Sequence, residues 1–106
     1  MNIDTLQPET FSPLVGTLFR VALDGMAPIE LKLAEVSVTA RAGQAAGQEI
    51  FSLIFLGPEK FYLPQKIYAF EHAELGRFEL FIVPIGRRAD AIEYQAVFNR
   101  LRAKAG

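Results

Sequence analysis

The sequence predicts an all-β domain: a six-stranded antiparallel up-and-down barrel, or a strongly curled sheet, opened by one short N-terminal helical turn. Three observations carry this. Apolar residues alternate at period two through short stretches, the pattern of strands with one buried face. Turn residues punctuate those stretches at Asp24-Gly25, Gly57-Pro58 and Gly76. Residues 49–56 form the longest apolar run, with Phe51, Leu53 and Phe55 on one parity and Ile50, Ile54 and Leu56 on the other. A strand apolar on both faces is expected at the centre of a sheet. Sequential strands joined by short connections pair as hairpins, which gives the up-and-down order. A two-layer β-sandwich is the alternative.

The chain has 106 residues, one domain's length, with a compact part expected over about residues 6–99. Nine Phe and three Tyr supply bulk for a core. The absence of cysteine rules out disulfides and cysteine-ligated zinc. The start at Met1-Asn2-Ile3-Asp4-Thr5 lacks a basic region followed by an apolar one, so no signal peptide is expected. No apolar run reaches the roughly 20 residues of a membrane-spanning helix, and a cytoplasmic location is expected. The formal net charge of −1 argues against nucleic acid as a partner.

Taken in order, Pro8 suits a first helical turn and Pro13 prevents a long helix, so residues 8–14 form one turn that plugs an end of the fold with Phe11 and Leu14. A first strand over residues 17–23 carries Phe19, Val21 and Leu23 on one face, and Asp24-Gly25 marks a hairpin. In the second strand, residues 29–39, the apolar parity runs Ile29, Leu31, Leu33 and then switches to Val36 and Val38. The switch predicts a β-bulge near Ala34-Glu35 that bends the sheet. Residues 42–47 are small and polar, a loop tip suited to insertion.

After the central strand, the connection over residues 59–64 carries Phe61, Tyr62 and Leu63. Three large apolar side chains in a connection predict a lid over the barrel's end, with any ligand pocket beneath it. A fourth strand spans residues 66–72, and Gly76 turns it into a fifth over residues 77–84. Phe78, Leu80 and Ile82 line one face of the fifth strand. Its other face begins polar, with Arg77 and Glu79, and becomes apolar at Phe81, Val83 and Ile85. The last element reads equally as a strand, with Ile92, Tyr94, Ala96 and Phe98 on one face, or as a helix capped by Asp90.

Several stretches together resemble an uncharacterised family of short, one-domain bacterial β proteins. They are Phe51-Ser52-Leu53 with Phe55 and Gly57-Pro58; Leu63-Pro64-Gln65; Glu71-His72 with Leu75-Gly76; Leu80-Phe81-Ile82-Val83-Pro84-Ile85-Gly86; and Tyr94-Gln95-Ala96-Val97-Phe98-Asn99. These are framework residues, and no site comes with them. The resemblance implies that the last element is a closing strand, with residues 100–106 an appendage. It also implies an association with phage-tail-like gene sets.

No catalytic constellation is legible. His72 is the only histidine, and Glu71, its strand neighbour, points to the opposite face, where it cannot orient the ring. The reading for His72 is structural, bonding backbone at a strand end. Ser12, Ser37 and Ser52 lie in no nucleophile elbow, and the glycines form no phosphate-binding loop. No metal site or cofactor is expected. The function expected is a non-enzymatic protein-interaction or assembly module, with a small apolar-ligand-binding barrel as the alternative. A closed barrel has one inside, so the surplus apolar face of the fifth strand must face outwards. Phe81, Val83 and Ile85 are therefore the candidate interface, most simply of a homodimer. Phe61, Tyr62 and Leu63 are the candidate lid.

Overall fold

The computed structural model describes residues 6–40 and 48–101. They form one antiparallel sheet of six strands that closes in a ring behind a short helix, α1, at Pro8–Phe11. The strands are β1 (Leu18–Leu23), β2 (Met26–Ala40), β3 (Gln48–Pro58), β4 (Lys66–His72), β5 (Gly76–Arg88) and β6 (Ala91–Leu101). The segment left open between helix and strand is thus a strand along its whole length. It runs two residues into the expected tail; residues 102–106, like the loop tip at 42–47, lie outside the described residues.

The order around the ring is β1-β2-β3-β6-β5-β4, which corrects the up-and-down connectivity. Two three-stranded meanders, β1–β3 and β4–β6, meet edge to edge twice, through β3–β6 and through β1–β4. Each meander has a short first strand, a long middle strand and an 11-residue last strand. In such a ring β3 and β4 lie on opposite sides, so residues 59–65 cross the barrel's end instead of making a hairpin. The long middle strands turn the corners. β2 pairs with β1 up to Lys32 and with β3 from there on. β5 pairs with β4 up to Ile82 and with β6 from Val83.

Both middle strands carry a bulge. In β2 the register slips between Leu33 and Glu35, at the predicted place, so that Val36 pairs with the inward Leu53, and it slips again near the strand's end between Val38 and Ala40. In β5 it slips between Pro84 and Gly86. An extra residue increases local twist and bends the strand, which is what closure requires. The β1–β2 turn is two residues long, and there Gly25 takes the left-handed φ of 71° that Asp24 avoids.

Inside, seven of the nine phenylalanines are buried: Phe11, Phe19, Phe51, Phe55, Phe70, Phe78 and Phe98. Phe11, delivered by α1, has ring centroids within 6.5 Å of Phe19, Phe51, Phe78 and Phe98, so the helical turn is a plug. Leu6 and Leu14 are buried with it. Gln7 N–H donates to Thr10 Oγ1 at 3.2 Å and Ser12 Oγ to the Pro8 carbonyl at 3.1 Å, which fixes the turn. β3 is central in the sense that β2 and β6 flank it, the latter at every position. Its outer residues Ile50, Ile54 and Leu56 are only half-buried, because no second layer covers a barrel wall. Their screening comes from the side, where Leu56 lies in register between Lys32 and Glu93.

The plug gives a direct prediction. Phe11→Ala should cost roughly 3–5 kcal/mol in a denaturant titration, through lost burial and an unfilled cavity among four rings. A loss below about 1 kcal/mol would mean that the N-terminal turn is dispensable for the core.

Candidate functional site

The two ends of the barrel carry its buried polar groups. At the crossing end, β6 presents Tyr94 inwards, fully buried, next to Gly57 of β3. A Cβ at Gly57 would lie 2.6 Å from Leu31 Cδ2 and 3.1 Å from Tyr94 Cε2, so glycine makes room for the ring. The Tyr94 hydroxyl accepts from the Leu63 backbone N–H at 2.9 Å and donates to the Phe61 carbonyl at 3.2 Å. Tyr68, from β4, donates to the Pro64 carbonyl at 2.6 Å. Two interior tyrosines thus pin the crossing connection, whose backbone would otherwise lack partners over an apolar core. Burial pushes both phenols above their ordinary range.

The three lid residues separate under this geometry. Leu63 is buried and fills the barrel mouth, whereas Phe61 and Tyr62 are 44% and 64% exposed. All three line an open groove of about 480 Å³ that runs between the β1–β2 turn and the start of β4, bounded also by Ala22, Met26 and Ile67.

At the plug end, His72 is buried against Phe19, their ring centroids 4.4 Å apart. Its Nδ1 accepts from the Glu74 backbone N–H at 3.0 Å, which leaves the proton on Nε2. Nε2–H can then donate to Thr17 Oγ1 at 2.9 Å, and the Thr17 hydroxyl donates to the Leu14 carbonyl at 2.6 Å. Every polar atom of the ring is used in tying the N-terminal turn to the end of β4. Glu71 faces the other way, outside, 3.5 Å from Arg77. Among the described residues, no group of three or more His, Asp or Glu side chains could hold a metal ion.

The outer wall holds the remaining candidates. Phe81 is 48% exposed and lies directly opposite Ile67 of β4, which is 58% exposed. Val83 follows on the same face of β5, half-buried, opposite Gln95. Ile85 is the extra residue of the β5 bulge and is 48% exposed. The period-two pattern missed Ile67, whose side chain completes the patch, and Val97 of β6, which is 57% exposed. Below the patch, Arg88 joins three strands through ion pairs with Glu35 and with Glu93, the latter at 2.8 Å, while Arg87 pairs with Glu59.

A family model matches residues 6–98, nearly the whole described barrel, and its description is a domain of unknown function, DUF6916. The chain belongs to the DUF6916 family. No curated protein and no solved structure matches it. The DUF6916 match begins at the buried Leu6 and ends at the buried Phe98, so it takes in both the plug and the crossing connection. No helix among the described residues is long and apolar enough to cross a membrane.

The Tyr94 pin is testable in two ways. Tyr94→Phe should cost about 1–3 kcal/mol, because the Leu63 N–H stays buried without its acceptor. Burial holds the Tyr94 phenol above the ordinary phenol value of about 10, so the fold favours the neutral form there. The associated stability is complete below that value and drains away as pH rises beyond it. Denaturation midpoints measured from pH 8 to 11 should therefore fall more steeply for the parent than for Tyr94→Phe. Parallel profiles would show that the hydroxyl is not held as described.

Proposed function

We propose that this DUF6916 chain is a non-enzymatic protein-interaction module that works from the outside of its barrel. It would serve as a component of a phage-tail-like or other multiprotein assembly and pair with a second copy of itself. The observation that carries the reading is the contrast between the two faces of the wall. The interior is occupied by the chain's own aromatic side chains, with Phe51 and Phe98 stacked at 4.4 Å and Phe19 edge-on to Phe55 at 5.3 Å. Outside, Phe81 and Ile67 stand side by side and exposed, with Val83 next to them. Large apolar side chains gathered on an outer wall are what a protein partner covers. A strand face has self-complementary geometry under a two-fold axis, and two-fold pairs are the commonest closed assembly. The formal charge of −1 supplies no general attraction for nucleic acid.

The groove beside Phe61 and Tyr62 favours a second reading, a site for a small apolar ligand. Its volume of about 480 Å³ lies in the range of ligand sites, and its lining is mostly aliphatic and aromatic. It is open on one side, which favours it less than a closed cavity would.

Light scattering coupled to size exclusion at micromolar concentration separates the readings. The parent should elute with the mass of two chains. Phe81→Glu combined with Ile67→Glu should elute as one chain with an unchanged circular dichroism spectrum. A parent of single-chain mass at every concentration overturns self-association. A dimer that survives both charges places the interface elsewhere.

A further inference from the structure

The six seams of the ring are very unequal. β3 and β6 pair at eleven positions, from Gln48↔Leu101 to Pro58↔Ala91, whereas β1 and β4 pair at two, Arg20↔Glu71 and Val21↔Phe70. On the outer face the registers of three strand pairs line up at that seam. Glu30 lies opposite Arg20, Arg20 opposite Glu71, and Glu71 opposite Arg77, a row of alternating charge across β2, β1, β4 and β5. Two indentations flank the row. One, about 320 Å³, reaches Ala22, Met26 and the core residue Phe70; the other, about 470 Å³, reaches Leu18 and His72. Both indentations lie where the backbone pairing of the wall is shortest.

We propose that the β1–β4 seam is a salt-sensitive latch, at which the barrel opens locally while its other seams stay closed. Strand pairs with few ladder bonds and exposed surroundings open in units smaller than the whole domain. The charge row stands in for the missing ladder: facing residues of a strand pair have Cβ atoms about 5 Å apart, near enough for their opposite charges to attract, and Glu71 already pairs with Arg77 at 3.5 Å. That distance is shorter than the screening length of about 10 Å at 0.1 M salt but longer than the roughly 3 Å at 1 M. Low salt therefore holds the latch and high salt loosens it. Val21 and Phe70, facing inwards at the second of the two pairings, limit the opening and favour its reclosure. An open latch uncovers the backbone edges of β1 and β4, the groups through which sheets accept further strands.

Hydrogen exchange of the intact chain, read by amide-resolved NMR at 0.05 M and 1 M NaCl, tests this. Amides of β1 and β4 should exchange faster than those of β3 and β6 at both salts. They should also accelerate roughly three- to tenfold at high salt. The charge-neutral pair Arg20→Gln and Glu71→Gln should exchange at the high-salt rate already at 0.05 M. The chain has no cysteine, so Arg20→Cys with Glu71→Cys has a single intramolecular disulfide to form, the one across the seam, and oxidation at low protein concentration with the product checked as a single chain selects it. Oxidised, that variant should lose both the fast exchange and its salt dependence, and reduction should restore the fast exchange. Equal protection of β1, β4, β3 and β6, or fast exchange indifferent to salt and to the Gln pair, overturns the latch.

Discussion

Phe11 packed against Phe19, Phe51, Phe78 and Phe98 is the contact on which the closed ring depends. A six-stranded ring has no second sheet to bury its inner face, so its own side chains must fill the space, and aromatic rings do that with few residues. Strands alone leave one mouth of the ring open. α1 supplies the missing ring from outside the sheet, and Thr17, bonded to His72, holds the turn that carries it. The bulges at Ala34 and Ile85, the small residue at Gly57 and the crossing of residues 59–65 all serve the same requirement of enclosing a filled interior.

Filling the inside sets what the outside is. Inward positions along β3 and β6 consume the bulky apolar side chains that face the axis, and the apolar residues of opposite parity have nowhere to go but the wall's outer surface. Ile50, Ile54 and Leu56 are shielded by flanking strands, whereas Ile67 and Phe81 sit on a two-stranded stretch where β5 has parted from β6. Those two are exposed for that topological reason. The polar groups divide in a similar way: Tyr94, Tyr68 and His72 are spent on internal bonds at the two mouths and Glu49 is buried, whereas Glu71, Arg77, Arg88 and Glu93 form rows and clusters outside.

Much of this was legible in the chain. Alternation located the strands, the parity switch from Leu33 to Val36 located the first bulge, and two prolines around Phe11 located the plug. The connectivity was not legible, because hairpin formation between neighbours is the default and nothing local distinguishes a hairpin from a crossing. The available signal was the length of residues 59–65 together with their apolar content, which suits a segment lying across a core and not one standing in solvent. The second bulge was missed because Val83, Pro84 and Ile85 are not alternating in polarity, so no switch marks the slip. The partners of Tyr94 lie 31 and 33 residues away in sequence and follow only from the crossing.

The central claim is that the barrel's interior is filled by its own residues, leaving the outer wall for partners. Xenon, which enters dry apolar cavities, measures this when the methyl resonances of the chain are followed by NMR under xenon pressure. The filled interior predicts no saturable shift at the methyls of Leu31, Leu33, Leu53 and Ile82, all fully buried. It predicts such a shift at the methyls nearest the plug, those of Leu6 and Leu14, once Phe11→Ala opens a cavity among Phe19, Phe51, Phe78 and Phe98. A saturable shift in the parent protein would contradict the account and return the barrel to the class of ligand containers.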